Sequence, residues 1–376
     1  MKKIQMVDLV SQYEKIKPEV LSSIEEIMDS AMFINGPAVK SFQSDLEQYL
    51  QVKHVIPCAN GTDALQIALM ALNLQPGDEV ITSDFTFAAT VEVVKLLKLK
   101  PVLVDVDEDN FNISLEAIKR AITPKTKVII PVHLFGQCAD MEKLLELASN
   151  QNIQIIEDTA QGIGAKYTFS DGTAKSAGTM GAIGTTSFFP SKNLGCFGDG
   201  GAIFTNDDEL AANMRSIVNH GMGVRYYYDR VGVNSRLDSI QAAVLGIKLK
   251  HLDNYISSRQ KAAEYYTTFF NNIDGVKPPK IENYSTHVFH QYTLKIDNID
   301  QFEMQKFLNE KGIPAMIYYP VPLHTQKAYD ADTYNDEDFK TTNTLCKSVL
   351  SLPMHTELEN KQLEYICEAV KEYLKK

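Results

Sequence analysis

The chain has 376 residues, 44% of them hydrophobic and 23% charged, and a net charge of −11; it is long enough for two globular domains and excludes a broad basic face for nucleic acid. It has no run of about 18 apolar residues to cross a membrane, and Met-Lys-Lys-Ile-Gln-Met at its start is no signal core, so a cytoplasmic location is expected. Five scattered cysteines without a Cys-x-x-Cys pair argue against a disulfide framework and against a thiolate zinc site.

Residues 8–30 carry Leu9, Ile16, Val20, Ile24 and Ile27 near helical spacing, which predicts an amphipathic helix ending at Phe33-Ile34-Asn35-Gly36-Pro37. A second helix is expected at about 38–51 and a short strand at 53–57. Cys58-Ala59-Asn60-Gly61-Thr62-Asp63 reads as a turn with cap residues. Ala64 to Leu72, apolar nearly all round, reads as a buried helix. Strand-like runs at 79–83, 101–106, 126–132 and 153–157 then alternate with helical runs at about 87–98, 114–122 and 139–150. Continuous apolar strands separated by helices specify βαβ units and an α/β fold with a mostly parallel sheet. Strands at 182–189 and 201–205 bring the sheet to about seven, and 165–181, small and polar, reads as a loop. A long helical pattern over 236–271 leads out of this domain. Strands at 290–297 and 313–318, with helices at 300–311, about 337–350 and about 358–374, suggest a small α+β domain. The expected division is 1–245 and 246–376.

Four stretches carry chemistry. Asn60-Gly61-Thr62-Asp63 joins a strand to a helix start, where unpaired N–H groups and partial positive charge suit a phosphate; an ordinary N-cap is the alternative. Ser83-Asp84-Phe85-Thr86-Phe87-Ala88-Ala89-Thr90 ends another strand with aromatic rings, fit either to stack on a planar cofactor or to fill the core. Glu157-Asp158-Thr159-Ala160-Gln161 places carboxylates at a third strand end, where open α/β sheets bind ligands; a helix-capping aspartate is the other reading. Ser187-Phe188-Phe189-Pro190-Ser191-Lys192 sets one lysine beside an aromatic pair and the run Gly195-Cys196-Phe197-Gly198-Asp199-Gly200-Gly201. Burial would favour its neutral, nucleophilic amine, whereas a typical lysine lies on the surface. Together the four match pyridoxal 5′-phosphate, held by a phosphate cradle, an aromatic plate, a carboxylate for the pyridine nitrogen and a lysine for the aldehyde. Neither Gly-x-Gly-x-x-Gly nor Gly-x4-Gly-Lys-Ser/Thr is present, which argues against nicotinamide dehydrogenases and nucleotide triphosphatases. His287-x-x-His290 near a strand reads as structural rather than as a metal site.

The motifs Ala59-Asn60-Gly61-Thr62-Asp63-Ala64-Leu65, Glu157-Asp158-Thr159-Ala160-Gln161, Ser187 to Lys192, Gly198-Asp199-Gly200-Gly201 and Gly232-Val233-Asn234-Ser235-Arg236-Leu237-Asp238 resemble those of the DegT/DnrJ/EryC1/StrS nucleotide-sugar aminotransferases over essentially the full chain. The resemblance implies the fold-type I aminotransferase architecture, helices on both faces of the sheet, and a homodimer with shared sites. It implies Lys192 as the catalytic, Schiff-base residue and Asp158 as partner of the pyridine nitrogen. Gln161 would lie near the ring and Phe87 would stack on it. Gly61, Thr62 and Ser187 would hold the phosphate together with Asn234 of the partner subunit. Lysine where some relatives carry histidine favours transamination over dehydration. Within the family, Gly136-Gln137-Cys138-Ala139-Asp140 and Arg230-Val231-Gly232-Val233-Asn234-Ser235-Arg236 resemble enzymes that aminate C3 of UDP-2-acetamido-2-deoxy-3-keto-glucuronate with L-glutamate. That likeness implies Phe33, Ser191, Tyr318 and Tyr319 around the sugar nucleotide, Arg236 on the uronate, and His324 at the pocket edge. A dTDP-3-keto-6-deoxyhexose, a 4-keto-UDP-sugar and a non-catalytic regulatory dimer are the alternatives.

Overall fold

The computed structural model describes residues 2–329 and 333–375. Two helices, α1 (Leu9–Ser30) and α2 (Pro37–Leu50), precede the first strand, β1 (His54–Cys58). The alternating region follows as α3 (Gly61–Ala71), β2 (Glu79–Ser83), α4 (Ala89–Leu96), β3 (Lys100–Val104), α5 (Leu115–Ala121), β4 (Thr126–Ile130), α6 (Met141–Gln151) and β5 (Gln154–Asp158). A hairpin of β6 (Lys166–Thr168) and β7 (Ala174–Ser176) leads to β8 (Ile183–Ser187), β9 (Gly201–Thr205) and α7 (Asp208–Ile217). A second hairpin, β10 (Met222–Val224) and β11 (Tyr227–Tyr228), precedes α8 (Ser239–Leu249) and α9 (Leu252–Phe270). The chain ends in β12 (Val276–Lys277), β13 (Tyr292–Ile296), α10 (Gln301–Glu310), α11 (Lys340–Ser348), β14 (Val349–Leu352) and α12 (Asn360–Leu374).

The main sheet has seven strands in the order β1-β9-β8-β5-β4-β2-β3. Only β9 runs against the rest, pairing antiparallel with β1 and β8, while β8, β5, β4, β2 and β3 pair in parallel. Six strands therefore end on one edge, and the segments after β1, β2, β5 and β8 emerge there side by side. Such a sheet must be covered on both faces, which is why β2 and β9 are buried at every residue and why α3 is buried nearly all round. The covering apolar residues form two clusters. One runs from Phe42 and Leu46 of α2 through Leu245 of α8 to Ile256 of α9; the other joins α3, α4 and α7.

The expected seven-strand α/β sheet is present, and 79–83 and 201–205 match to the residue. Several expectations are corrected. The loop at 165–181 contains the β6–β7 hairpin, in which Tyr167 is buried. The long helix over 236–271 is two helices, broken at Lys250–His251. α7 was not expected, although Asp207 caps it by accepting from the amides of Glu209 and Leu210 at 2.8 and 2.9 Å. The strand at 313–318 shrinks to one bridge, Met316 to Ser351. The third strand of the small antiparallel sheet, β12-β13-β14, is instead Val349-Leu350-Ser351-Leu352, part of which falls at the end of the helix expected at 337–350. A four-residue apolar run has no periodicity that separates strand from helix. This second sheet packs with the far half of α9 and with α12 around Tyr266, Phe270, Leu294 and Ile366. All five cysteines are buried and free, and burial raises each thiol's pKa above its ordinary value.

Candidate active site

At the shared edge of the sheet lies a cavity of about 670 Å³. Its floor begins where β1 becomes α3. The Asn60 carboxamide caps the helix, its Oδ1 accepting from the Asp63 amide at 2.8 Å, which leaves first-turn N–H groups facing outward with the positive end of the helix dipole. A Cβ on Gly61 would stand 2.6 Å from the Cβ of Ser187, so only glycine lets the ends of β1 and β8 approach this closely. The result is a cradle in which Gly61, Thr62 and Ser187 border one space.

β5 settles which of its two terminal carboxylates faces that space. Asp158 lines the cavity and is 5% exposed. Its Oδ2 accepts from the Thr90 hydroxyl at 2.8 Å and its Oδ1 from the Ala160 amide at 3.1 Å. Glu157 points to the opposite face, as alternation in a strand requires. There it accepts from the amides of Gly178 at 2.8 Å and of Met180 and Gly181 at 2.6 Å, and from His133 Nε2 at 2.8 Å. The Ala139 amide donates to His133 Nδ1 at 3.2 Å, which fixes the proton on Nε2.

Lys192 stands on the turn after β8, where its amide donates to the Phe189 carbonyl at 2.8 Å. Burial pushes its amine down to about 8, against the opposing attraction of Asp158. Gln161 is locked by two bonds: its Oε1 accepts from the Phe135 amide at 2.9 Å, and its Nε2 donates to the Tyr319 hydroxyl at 3.1 Å. Of the aromatic pair after β2, Phe85 belongs to the core at 1% exposure, while Phe87 lines the cavity at 60%. A ring that exposed has surface left for a planar ligand.

Ten of the candidate residues meet in this one cavity: Gly61, Thr62, Phe87, Asp158, Gln161, Ser187, Ser191, Lys192, Tyr318 and Tyr319. Four stand outside its lining. Phe33 is 41% exposed, and its carbonyl accepts from the Ser239 amide at 2.9 Å. Asn234 is exposed and bridges Asn219, and Arg236 is half-buried nearby. His324 also lies outside the lining, held by other partners. Its backbone N–H and Nδ1 both meet the Asp84 carboxylate at 2.6 Å, Nε2 meets Asp336 at 3.1 Å, and its ring stacks on Phe339. The cavity also holds residues that sequence reasoning missed, among them Thr86, Thr90 and Gln291. Thr86 and Thr90 both lie in the stretch Ser83 to Thr90, but nothing in their spacing singled them out. The two histidines read together as structural are separated. His287 stacks on Phe289 at 3.9 Å, whereas His290 lines the cavity.

These residues fit pyridoxal 5′-phosphate. The glycine-dependent cradle suits its phosphate, Phe87 its ring, the buried carboxylate of Asp158 its pyridinium, and the amine of Lys192 its aldehyde.

Comparison with known proteins supports the same chemistry. The model of the DegT/DnrJ/EryC1/StrS aminotransferase family matches residues 14–371. The chain is 45% identical over 372 residues to a pleiotropic regulatory protein of Geobacillus stearothermophilus, with 98% of each chain covered. It is 44% identical over 369 residues to the UDP-2-acetamido-2-deoxy-3-oxo-D-glucuronate aminotransferase of Pseudomonas aeruginosa, covering 98% of this chain and 99% of that one. A crystal structure of a DegT DnrJ EryC1 StrS aminotransferase from Brucella abortus superposes with a TM-score of 0.93 at 39% identity, covering 99% and 100% of the two chains. Other relatives are named as transaminases of dTDP-sugars.

Proposed function

The chain belongs to the DegT/DnrJ/EryC1/StrS family of pyridoxal phosphate-dependent sugar aminotransferases, and on that premise we propose that it moves the amino group of L-glutamate to C3 of UDP-2-acetamido-2-deoxy-3-keto-glucuronate. The observation that carries the chemistry is the pairing, in one cavity, of a lysine amine shifted down to about 8 with the fixed carboxylate of Asp158. The likeness to the Pseudomonas enzyme supports the sugar. We assign the product to cell-surface polysaccharide, as in lipopolysaccharide O-antigen, made in the cytoplasm by a homodimer with shared sites. Among the described residues no helix is long and apolar enough to cross a membrane.

When bound, pyridoxal phosphate supplies an electron-withdrawing ring that stabilises negative charge at the amino-acid Cα. The Lys192 amine would take the proton from that carbon in the glutamate half-reaction and, in the sugar half-reaction, give one to C3 of the sugar. Its low basicity keeps a useful fraction unprotonated near neutral pH. The Asp158 carboxylate, oriented by Thr90 and the Ala160 amide, would hold a proton at the ring nitrogen. Gln161, both ends of whose amide are fixed by Phe135 and Tyr319, would help to hold the ring. Gly61, Thr62 and Ser187 would hold the phosphate, and Phe87 would pack against the ring.

The test adds L-glutamate to the purified protein, follows the loss of the cofactor's visible band, and then offers keto-sugars one at a time. Recovery of the band with the UDP-3-keto-uronate, and much slower recovery with a dTDP-3-keto-6-deoxyhexose or a 4-keto-UDP-sugar, is the expected result. A faster rate with either rival reassigns the sugar. Lys192→Ala abolishes turnover on this reading, and full activity in that variant sinks it. The Geobacillus relative's description as a regulatory protein favours a second reading, a dimer that binds the cofactor without turnover. A protein that binds pyridoxal phosphate yet ignores glutamate and every keto-sugar would decide for it.

A further inference from the structure

Among the polar side chains of the cavity to which this chemistry gives no task, His290 has an aromatic ring that can hydrogen-bond a ligand. His290 is 5% exposed and lines the same cavity as Lys192. Neither of its ring nitrogens makes a hydrogen bond among the described residues, and Nδ1 is sealed from solvent. A buried polar atom without a partner costs free energy, so native proteins rarely keep one without use.

The protein nevertheless fixes this part of the wall at every residue. The Val288 amide donates to the Gly136 carbonyl at 2.9 Å, and Asn193, the neighbour of Lys192, donates to the Val288 carbonyl at 3.1 Å. Arg259, itself buried and without an acidic partner among the described residues, donates through Nη1 to the carbonyls of Phe289 at 3.1 Å, His290 at 3.4 Å and Met354 at 3.0 Å. The Gln291 amide donates to Phe135 at 3.3 Å. Phe289 is held at φ +46°, a region that bulky residues avoid. Strain of this kind survives only where the surroundings over-determine it, and it collects at ligand sites.

Burial and the positive charges of Lys192 and Arg259 keep the ring uncharged, holding it well below the usual histidine range. With Nδ1 sealed, the neutral ring meets the cavity through Nε2, which can give or take one hydrogen bond. That suits a hydroxyl or an amide, whereas the two carboxylates of glutamate call for cations. We propose that His290 is a specificity-determining residue for the acceptor, whose ring hydrogen-bonds an uncharged polar substituent, a hydroxyl or an acetamido group, on the keto-sugar. The proposal rests on the keto-sugar aminotransferase reading and adds to it the residue that recognises the sugar.

The experiment uses holoenzyme carrying His290→Gln, which keeps a donor and an acceptor, and His290→Leu, which keeps neither. Stopped-flow absorbance measures the glutamate and sugar half-reactions separately, and calorimetry measures binding of UDP-2-acetamido-2-deoxy-glucuronate, which has no keto group to react. The expected result is a loss in the sugar half-reaction of His290→Leu at least tenfold greater than its loss in the glutamate half-reaction. Binding of the unreactive sugar weakens in parallel, and His290→Gln recovers most of both. Equal losses in the two half-reactions, or unchanged sugar binding, overturns the proposal. Should the Leu variant fail to fold, His290→Phe, which keeps an aromatic ring without the nitrogens, takes its place and is judged by the same split between half-reactions. Wild-type protein distinguishes the two failures. If it aminates a different nucleotide sugar, only the sugar assignment falls, and the variants are compared on that sugar and its unreactive analogue. If it aminates none, the parent reading falls and takes His290's role with it.

Discussion

Glu157 and Asp158 stand side by side in β5, and the alternation of the strand sends them to opposite faces. One stays in the cavity; the other saturates four donors beneath the sheet. Glu157→Gln replaces two acceptor oxygens by one and turns an amide nitrogen toward backbone N–H groups. We expect it to cost about 3 kcal/mol of stability in denaturant titrations, with Asp158→Asn costing much less stability but nearly all turnover; a Gln variant with an unchanged midpoint contradicts this. Lys192 gives a second prediction. Its neutral amine captures the cofactor, so the rate of capture by cofactor-free protein climbs with pH and levels near 8, whereas an ordinary lysine keeps climbing past 10. Asp158→Asn removes the charge that favours the ammonium, so this limb moves to lower pH; a shift to higher pH reverses the assigned sign. Lys192 and Asp158 were legible because unusual neighbours surrounded them in the sequence. The partners of His324 were not legible, because nothing local in the sequence reveals that Asp84 and Asp336, 240 and 12 residues away, take up its two ring nitrogens.

Among the elements, the parallel strands were the easiest to read, since burial on both faces writes itself as unbroken apolar runs. Caps and close approaches were harder, because their reason lies in another element. Gly61 is one case: the atom that forbids a side chain there belongs to Ser187, at the end of a different strand. Gly61→Ala should force β1 and β8 apart at the cradle and weaken pyridoxal phosphate binding at least tenfold, as read by equilibrium dialysis. Unaltered affinity would remove the cradle from the site. Gly136 is another case. At φ +111° its Cβ would lie 2.9 Å from Val288 and 3.0 Å from the amides of Phe289 and His290, so it admits the segment that carries His290. The β14 strand and the two hairpins escaped because pieces of two to four residues are too short to show a period.

For the whole molecule, the single chain leaves apolar surface uncovered. Tyr226, Tyr227 and Tyr228 on the β10–β11 hairpin are exposed, and Val231 is 85% exposed. Asn234 lies just beyond, outside the cavity of its own chain. Sedimentation should give twice the 42.1 kDa chain mass. Mixing Lys192→Ala with Asn234→Ala under mild dissociation should restore activity that neither has alone, because one site of the hybrid then has both residues intact. Absence of recovery would return Asn234 to its own subunit. The fold class was legible at this scale, but the assembly was not, since a chain does not record which of its exposed faces meets a copy of itself. The sealed thiols have a consequence of their own. Cys138 and Cys196 lie in one apolar cluster, Cys58 in a second, and Cys346 and Cys367 in a third, built mainly from the C-terminal region. An alkylating reagent therefore finds no target in the native protein, and the order in which these five sites acquire mass as denaturant rises is a map of which part of the molecule opens first.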